Sequence, residues 1–235
     1  MNNLNILSGG AAQGLVGSLA SAFKAQTGLD ITGEFGAVGA MADKLRQGTP
    51  ADIVILTSAI VAKLGEENLV VASSTADIGL VETALAVRAG DPSIAVKDAA
   101  GLRECLQAAD AIFMPDTVAS TAGIHVAKVL AQLGIADEVA DRLRIFPNGA
   151  TAMREMAASD ARRPIGCTQS TEIISTKGVV LCGALPAGCD LATMYTAGVT
   201  TTAAHASQAR ELIGLLSSAG KREQRERAGF IGGPK

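Results

Sequence analysis

Apolar runs of strand length alternate along the first part of the chain with stretches whose apolar residues recur every three or four positions. "LNILS" (4–8) predicts a strand, and "AAQGLVGSLASAFKAQTG" (11–28) an amphipathic helix closed by Gly28. "DITGEF" predicts a second strand and "AMADKLRQG" a second helix. "ADIVILTS" predicts a third strand, ending on Thr57 and Ser58, with the helix "AIVAKLGEENLV" behind it. A βαβαβα order implies a parallel sheet with right-handed crossovers.

The pattern changes at "IGLVETALAVRAGDP", a long strand-like stretch with no helix after it. Alternation resumes through "DAAGLRECLQAA", "AIFMPD", "TAGIHVAKVLAQLG", "DRLRIF", "GATAMREMAAS" and "PIGCTQ". "VVLCGALPAGCDLATMYTAGV" is again strand-rich, and "AHASQARELIGLLSSAG" with "KREQRERAGF" predicts terminal helices, the last a solvated charged run. Two α/β lobes joined by two extended crossings fit this layout better than one continuous sheet. Ligand is then expected in a cleft at the carboxyl ends of the strands.

Composition narrows the partner. The 235 residues are 48% hydrophobic, enough for a substantial core, but contain no Trp, one Tyr (Tyr195) and five Phe. With few aromatic platforms and a net charge of −3, nucleic acid is not an expected partner. No stretch reaches the ~18 apolar residues of a membrane span, and "MNNLNILSG" has no basic region followed by an apolar core, so no signal peptide is read there. The expected location is cytoplasmic as the chain stands, or periplasmic if a leader has been removed. Cys105, Cys167, Cys182 and Cys189 show no CxxC spacing. Free thiols are preferred over a Cys182–Cys189 pair. Two isolated histidines give no metal site, and no cofactor is expected.

Four strand-to-helix turns are rich in small residues: "SGGAAQG", "GAVGAM", "LTSA" and "DTVASTAG". Such turns aim backbone N–H groups and short hydroxyls outward, and converging helix N-termini hold an anion without any lysine. Singly, each is equally an ordinary N-cap. The candidate ligand residues from these turns are Ser8, Gly9, Gly10, Ala11, Ala37, Gly39, Thr57, Ser58, Ser120, Thr121 and Ala122. "GCTQSTEI" adds Thr168 and Gln169, which read either as ligand donors or as a polar turn. Asn148 in "FPNGAT" reads as a cap or a contact. Arg154 and Arg88 are the arginines placed to pair with a carboxylate. His125 reads as a general acid or base or as a half-buried helix histidine, and Glu172 as an early helix residue near the favourable dipole end.

The opening strand and its Gly/Ala/Ser turn, "ADKLRQGTPADIVILTSA", "ETALAVRAGDP", "PDTVASTAGIHVAKVLAQLG", "PIGCTQSTE" and "ARELIGLLSSAGKREQRERAGF" together resemble the bacterial molybdate-binding proteins. The resemblance covers nearly the whole chain. It implies two Rossmann-like lobes joined by two crossover strands, the type II periplasmic-binding-protein fold, with lobe I over 1–82 and 196–235 and lobe II over 83–195. It also implies a small anion as ligand and, for an exported protein, a membrane permease as partner, with no insertion of the chain into the membrane. Members of that family hold their oxyanion with hydroxyls and amides. Here the first-turn serine falls at Ala11, the second-turn serine at Gly39 and the tyrosine at Gln169, while Ala122 and Gly123 match. A pocket without those hydroxyls is expected to bind molybdate poorly and a di- or tricarboxylate better. The chain is also similar to the aconitate-isomerase-type enzymes of this fold, which implies an alternative: a cytosolic isomerase that moves a double bond by proton transfer, with His125 or Glu172 as the catalytic base and Arg154, Ser8 and the Gly9-Gly10 amides holding carboxylates.

Overall fold

The computed structural model describes residues 3–234. In chain order the elements are β1 (Asn3–Gly9), a 3-10 turn at Gly10–Ala12, α1 (Gln13–Thr27), β2 (Asp30–Gly36), α2 (Val38–Arg46), β3 (Ile53–Thr57) and α3 (Ser58–Glu66). Then follow β4 (Ala76–Arg88), α4 (Ala99–Ala108), β5 (Ala111–Pro115), α5 (Thr121–Gln132), α6 (Ala136–Val139), β6 (Leu143–Phe146), α7 (Gly149–Ala158), β7 (Pro164–Gln169) and α8 (Ser170–Ser175). The chain ends with β8 (Val179–Ala184), β9 (Ala192–Val199), α9 (Ala206–Ser217) and α10 (Arg222–Arg227).

The chain divides into two units: one runs to Val81 and resumes at Thr193, the other spans Glu82–Ala192. β4 therefore carries the chain out of the first unit, and the return falls at the start of β9.

In the first unit β1 lies parallel to β2 and β3, and β9 joins β3 antiparallel. α1 shows how pattern becomes packing. Its Leu15, Val16, Leu19 and Phe23 form one buried stripe, and Gly28 ends it at φ 74, its N–H bonding Lys24 O. β3, IVILT, is buried at every position, as a central strand covered on both faces must be. These side chains share one core with Leu212, Leu216 and Phe230 from the end of the chain.

Contrary to the expectation of separate sheets, the strands form one hydrogen-bonded series, β2-β1-β3-β9-β4-β7-β5-β6, with β8 also on β4. In the second unit β5 runs parallel to β6 and β7, while β4 pairs antiparallel with both β7 and β8. One core cluster joins Leu102, Leu106, Val126, Val129 and Ile165, and a second joins Ala84, Ala86, Met153, Met156 and Ile173. All four cysteines are free thiols, and burial pushes the pKa of Cys105, Cys167 and Cys189 upward. Among the described residues no helix is long and apolar enough to cross a membrane.

The terminal charged run departs from the expected solvated helix. Arg225 is only 2% exposed. Its guanidinium donates to the carbonyls of Leu216 (3.2 Å), Ser218 (2.6 Å) and Pro234 (3.0 Å). Loose carbonyls just past a helix need donors, and Arg supplies several in a fixed fork.

Candidate functional site

Strand register decides which turns meet. In the first unit Gly9 stands opposite Gly36, and Ser8 opposite Ile55. The carboxyl ends of three parallel strands are therefore level, and the turns at Gly9-Gly10-Ala11, Ala37–Gly39 and Thr57-Ser58 share one edge of the sheet. Thr57 and Ala37 sit at the N-cap positions of α3 and α2, and neither side chain makes a capping bond. The 3-10 turn at Gly10 likewise starts without a side-chain cap. The N–H groups at these starts thus lack the side-chain acceptor that a globular protein usually supplies.

Ser8 is different from the expectation that it offers its hydroxyl. It is completely buried, and its Oγ donates to Gly9 O at 2.9 Å. Gly9 has no room for a side chain: a Cβ there would lie 2.8 Å from Val38 Cγ1 and 2.9 Å from Tyr195 Cε1. Tyr195, which sequence reasoning did not place, thus backs the first turn from β9, directly opposite Thr57. Ala11 is buried, while Gly39 and Ser58 are half-buried.

In the second unit the same logic holds for β5, β6 and β7, since Pro115 pairs with Phe146 and Phe113 with Gly166. α5 begins at Thr121 after Ser120, whose side chain makes no capping bond. The loop before it is shaped by Asp116, whose carboxylate accepts from the N–H groups of Val118 (2.8 Å) and Ala119 (2.6 Å). Those two bonds hold the Asp116 pKa below its usual value. Ala122 is buried, and Gly123 presses so closely on β5 that a Cβ would stand 2.1 Å from Asp116 O.

The other candidates of this unit are tied into the fold. Asn148 caps α7, its Oδ1 accepting from Thr151 N at 2.9 Å. Arg154 is exposed and donates to Thr151 Oγ1 at 2.9 Å. Arg88 donates to Ser159 O at 2.7 Å and pairs with the chain's own Asp91 at 3.1 Å. Gln169 ends β7 as a buried residue at the N-cap of α8.

The two acid/base candidates are also engaged. His125 Nε2 lies 2.8 Å from Cys189 O, and because a carbonyl only accepts, that nitrogen carries the proton. Glu172 is 4% exposed; Thr168 Oγ1 donates to its Oε2 at 2.6 Å, and the backbone N–H groups of Ala150, Gln169 and Gly149 bond it as well. Burial pushes its pKa up, and those four donors push back. A Cβ on Gly149 would lie 2.0 Å from both Glu172 Oε2 and Thr168 Oγ1, so only glycine admits this carboxylate. Among the described residues no group of His, Cys, Asp and Glu side chains is arranged to hold a metal ion.

Parallel strands ending level at uncapped helix starts, in each of two α/β units linked by crossing strands, define the architecture of a periplasmic-type binding protein. Over residues 4–231 the chain matches the bacterial extracellular solute-binding proteins, and it belongs to that family. It is similar to the periplasmic molybdate-binding protein of Azotobacter vinelandii, with a TM-score of 0.80 at 18% identity over 97% of this chain and 99% of that one. It is also similar to the sulfate-binding protein of Mycobacterium tuberculosis, with a TM-score of 0.75 at 19% identity over 98% and 86%. At these identities the likeness establishes the type II periplasmic-binding-protein fold. An aconitate isomerase from Pseudomonas is 24% identical over 229 residues, 93% of this chain and 83% of the enzyme.

Proposed function

We propose that this protein binds a small anion, a di- or tricarboxylate in preference to molybdate, at the strand-end turns of its units. The observation that carries the reading is the set of helix starts without side-chain caps at Gly10, Val38, Ser58 and Thr121. The preference for carboxylates follows from the hydroxyls these turns lack. Ala11 and Gly39 have none, and Ser8 spends its proton on Gly9 O. A tetrahedral dianion needs many convergent donors, whereas a carboxylate is met by one helix start and one hydroxyl. Family membership makes a membrane permease the partner to look for, and cell fractionation of the native protein tests whether it is exported.

A thermal-shift screen of citrate, cis-aconitate and succinate beside molybdate, tungstate and sulfate tests the ligand. The expected result is stabilisation by a polycarboxylate and none by millimolar molybdate; the opposite order rejects the reading. Ser58→Asp, which places a charge at the half-buried start of α3, is expected to weaken binding while the fold is retained.

The similarity to an aconitate isomerase favours a second reading, proton transfer on a bound tricarboxylate. Proton NMR of the stabilising ligand in deuterated buffer separates the two. Exchange of an allylic proton makes the protein an isomerase-type enzyme, and no exchange leaves a binding protein.

A further inference from the structure

The helices that begin at the carboxyl edge of the second unit differ in what their first N–H groups meet. α5 starts without a side-chain cap. At α7 the first three N–H groups are all taken by the chain itself. Glu172 accepts from Gly149 and Ala150, and Asn148 Oδ1 accepts from Thr151. The Thr168 hydroxyl, the nearest short donor at the end of β7, is also spent on Glu172. The carboxylate has no freedom to move aside, because it is buried and fitted against Gly149 without space for even a methyl group. A carboxyl group seated on the start of a ten-residue helix fills the place that a bound anion would take there.

We propose that Glu172 is a specificity-determining residue: seated on the α7 N-terminus with its carboxyl oxygens accepting the first N–H groups, it withholds that helix and Thr168 from compact tetrahedral oxyanions. The second unit then selects carboxylates carried on a carbon skeleton. A tetrahedral dianion crowds its charge into one small shell and needs donors from several directions at once. With α7 satisfied internally, α5 is left to supply them, and its first turn matches a single carboxylate group. The inference rests on the anion-binding reading given above and adds the residue that sets the choice of anion.

Glu172→Gln keeps the size of the side chain, and its Oε1 still accepts from Thr168. Its amide nitrogen cannot accept, so one oxygen is left for the four donors that two oxygens serve in the wild type, and backbone N–H groups at the α7 start are released. Calorimetric titration of the full chain with molybdate and with citrate gives an affinity ratio for each protein, molybdate being measured by displacement of citrate where its own binding is too weak to titrate. The ratio is expected to move toward molybdate by about tenfold or more in Glu172→Gln, the size of a hydrogen bond to a charged group. A folded variant whose ratio stays within about twofold of wild type overturns the proposal. A second measurement needs no variant. When citrate is added to the wild-type chain, backbone amide shifts are expected at Thr121, Ala122 and Gly123 and not at Gly149 and Ala150; equal movement of both sets overturns it. Failure of the wild-type chain to bind any anion removes the anion-binding reading itself, and this inference with it, a result distinct from binding with an unchanged ratio.

Discussion

Phe230 meets Tyr195 edge-on, ring centroids 6.3 Å apart and planes at 87°. Tyr195 in turn backs Gly9 and pairs through its strand with Thr57, so one candidate turn rests on a ring that is itself held by the tail of the chain. The tail is fixed in register as well. Ile231 and Leu80 exchange N–H···O bonds of 2.7 and 2.9 Å, one residue before β4 leaves the first unit. Far-separated parts of the sequence thus converge on the first candidate turn.

Phe230→Ala removes a buried ring and leaves Tyr195 free to lean away from Gly9. It is expected to cost about 3–4 kcal/mol of stability, seen as a lower midpoint in urea unfolding. Amide shifts confined to the Phe230 neighbourhood, with Gly9 and Gly10 unmoved, would show that the ring pair does not support the turn.

Gly149→Ala forces a methyl group onto Glu172 and Thr168. Because both partners are buried and hydrogen-bonded to each other, neither yields cheaply, and the expected loss is about 3 kcal/mol. The control is Gly17→Ala in α1, where a Cβ meets nothing within 4 Å. Exchange of glycine for alanine inside a helix is there expected to gain about 0.5–1 kcal/mol. Chemical denaturation of the two variants should therefore move the midpoint in opposite directions.

Most of the fold was legible because it is written locally. Alternating apolar runs and helical stripes locate β1 to α3 and then α4, β5, α5, β6, α7 and β7, and "IGLVETALAVRAGDP" marks the long strand with no helix after it, while the short α6 goes unread. What escaped the sequence is decided by partners far along the chain. Glu172 looks like an ordinary first-turn acid, and only the approach of α7 turns it into a buried carboxylate ringed by donors. Arg225 hides in "KREQRER" because nothing local distinguishes it from its solvated neighbours. Ser8 was correctly read as a strand-end residue, but the direction of its hydroxyl is set by the turn that follows. Asn148 shows the reverse: a cap and a ligand contact use the same side chain, and the fold uses it as a cap.

Arg225→Met tests the clasp at the end of the chain. Methionine fills much of the volume but leaves the carbonyls of Leu216, Ser218 and Pro234 without this donor. Stability is expected to fall by about 2–4 kcal/mol. Gly233 lies against Arg225 Nε and Ile78 O, so the tail should loosen with it. Hydrogen exchange at Ile231 and Leu80 is the local readout, and unchanged protection there would mean that the tail is held by Phe230 alone.

The titration of Glu172 gives a prediction whose sign is opposite to the usual acid destabilisation. In the unfolded chain this carboxyl titrates near 4.5, and folding raises it, chiefly through burial, against the donors from Thr168, Ala150, Gln169 and Gly149; no charged side chain contributes among the described residues. Between the unfolded and the raised folded value the native state binds more protons than the unfolded chain. Stability from this group is therefore fullest below pH 4.5, falls as pH rises through that window and is level above it. Asp116 and Asp110, whose values are lowered, act the other way and lose their contribution as pH falls. Comparing wild type with Glu172→Gln cancels those shared terms. The stability difference, wild type minus variant, is expected to decline as pH rises from 4.5, with a slope of up to ~1.4 kcal/mol per pH unit within the window. Urea midpoints measured from pH 4 to pH 8 read it directly. A difference that is flat, or that grows with pH, would mean that the donors outweigh burial and that Glu172 titrates at or below its unfolded value.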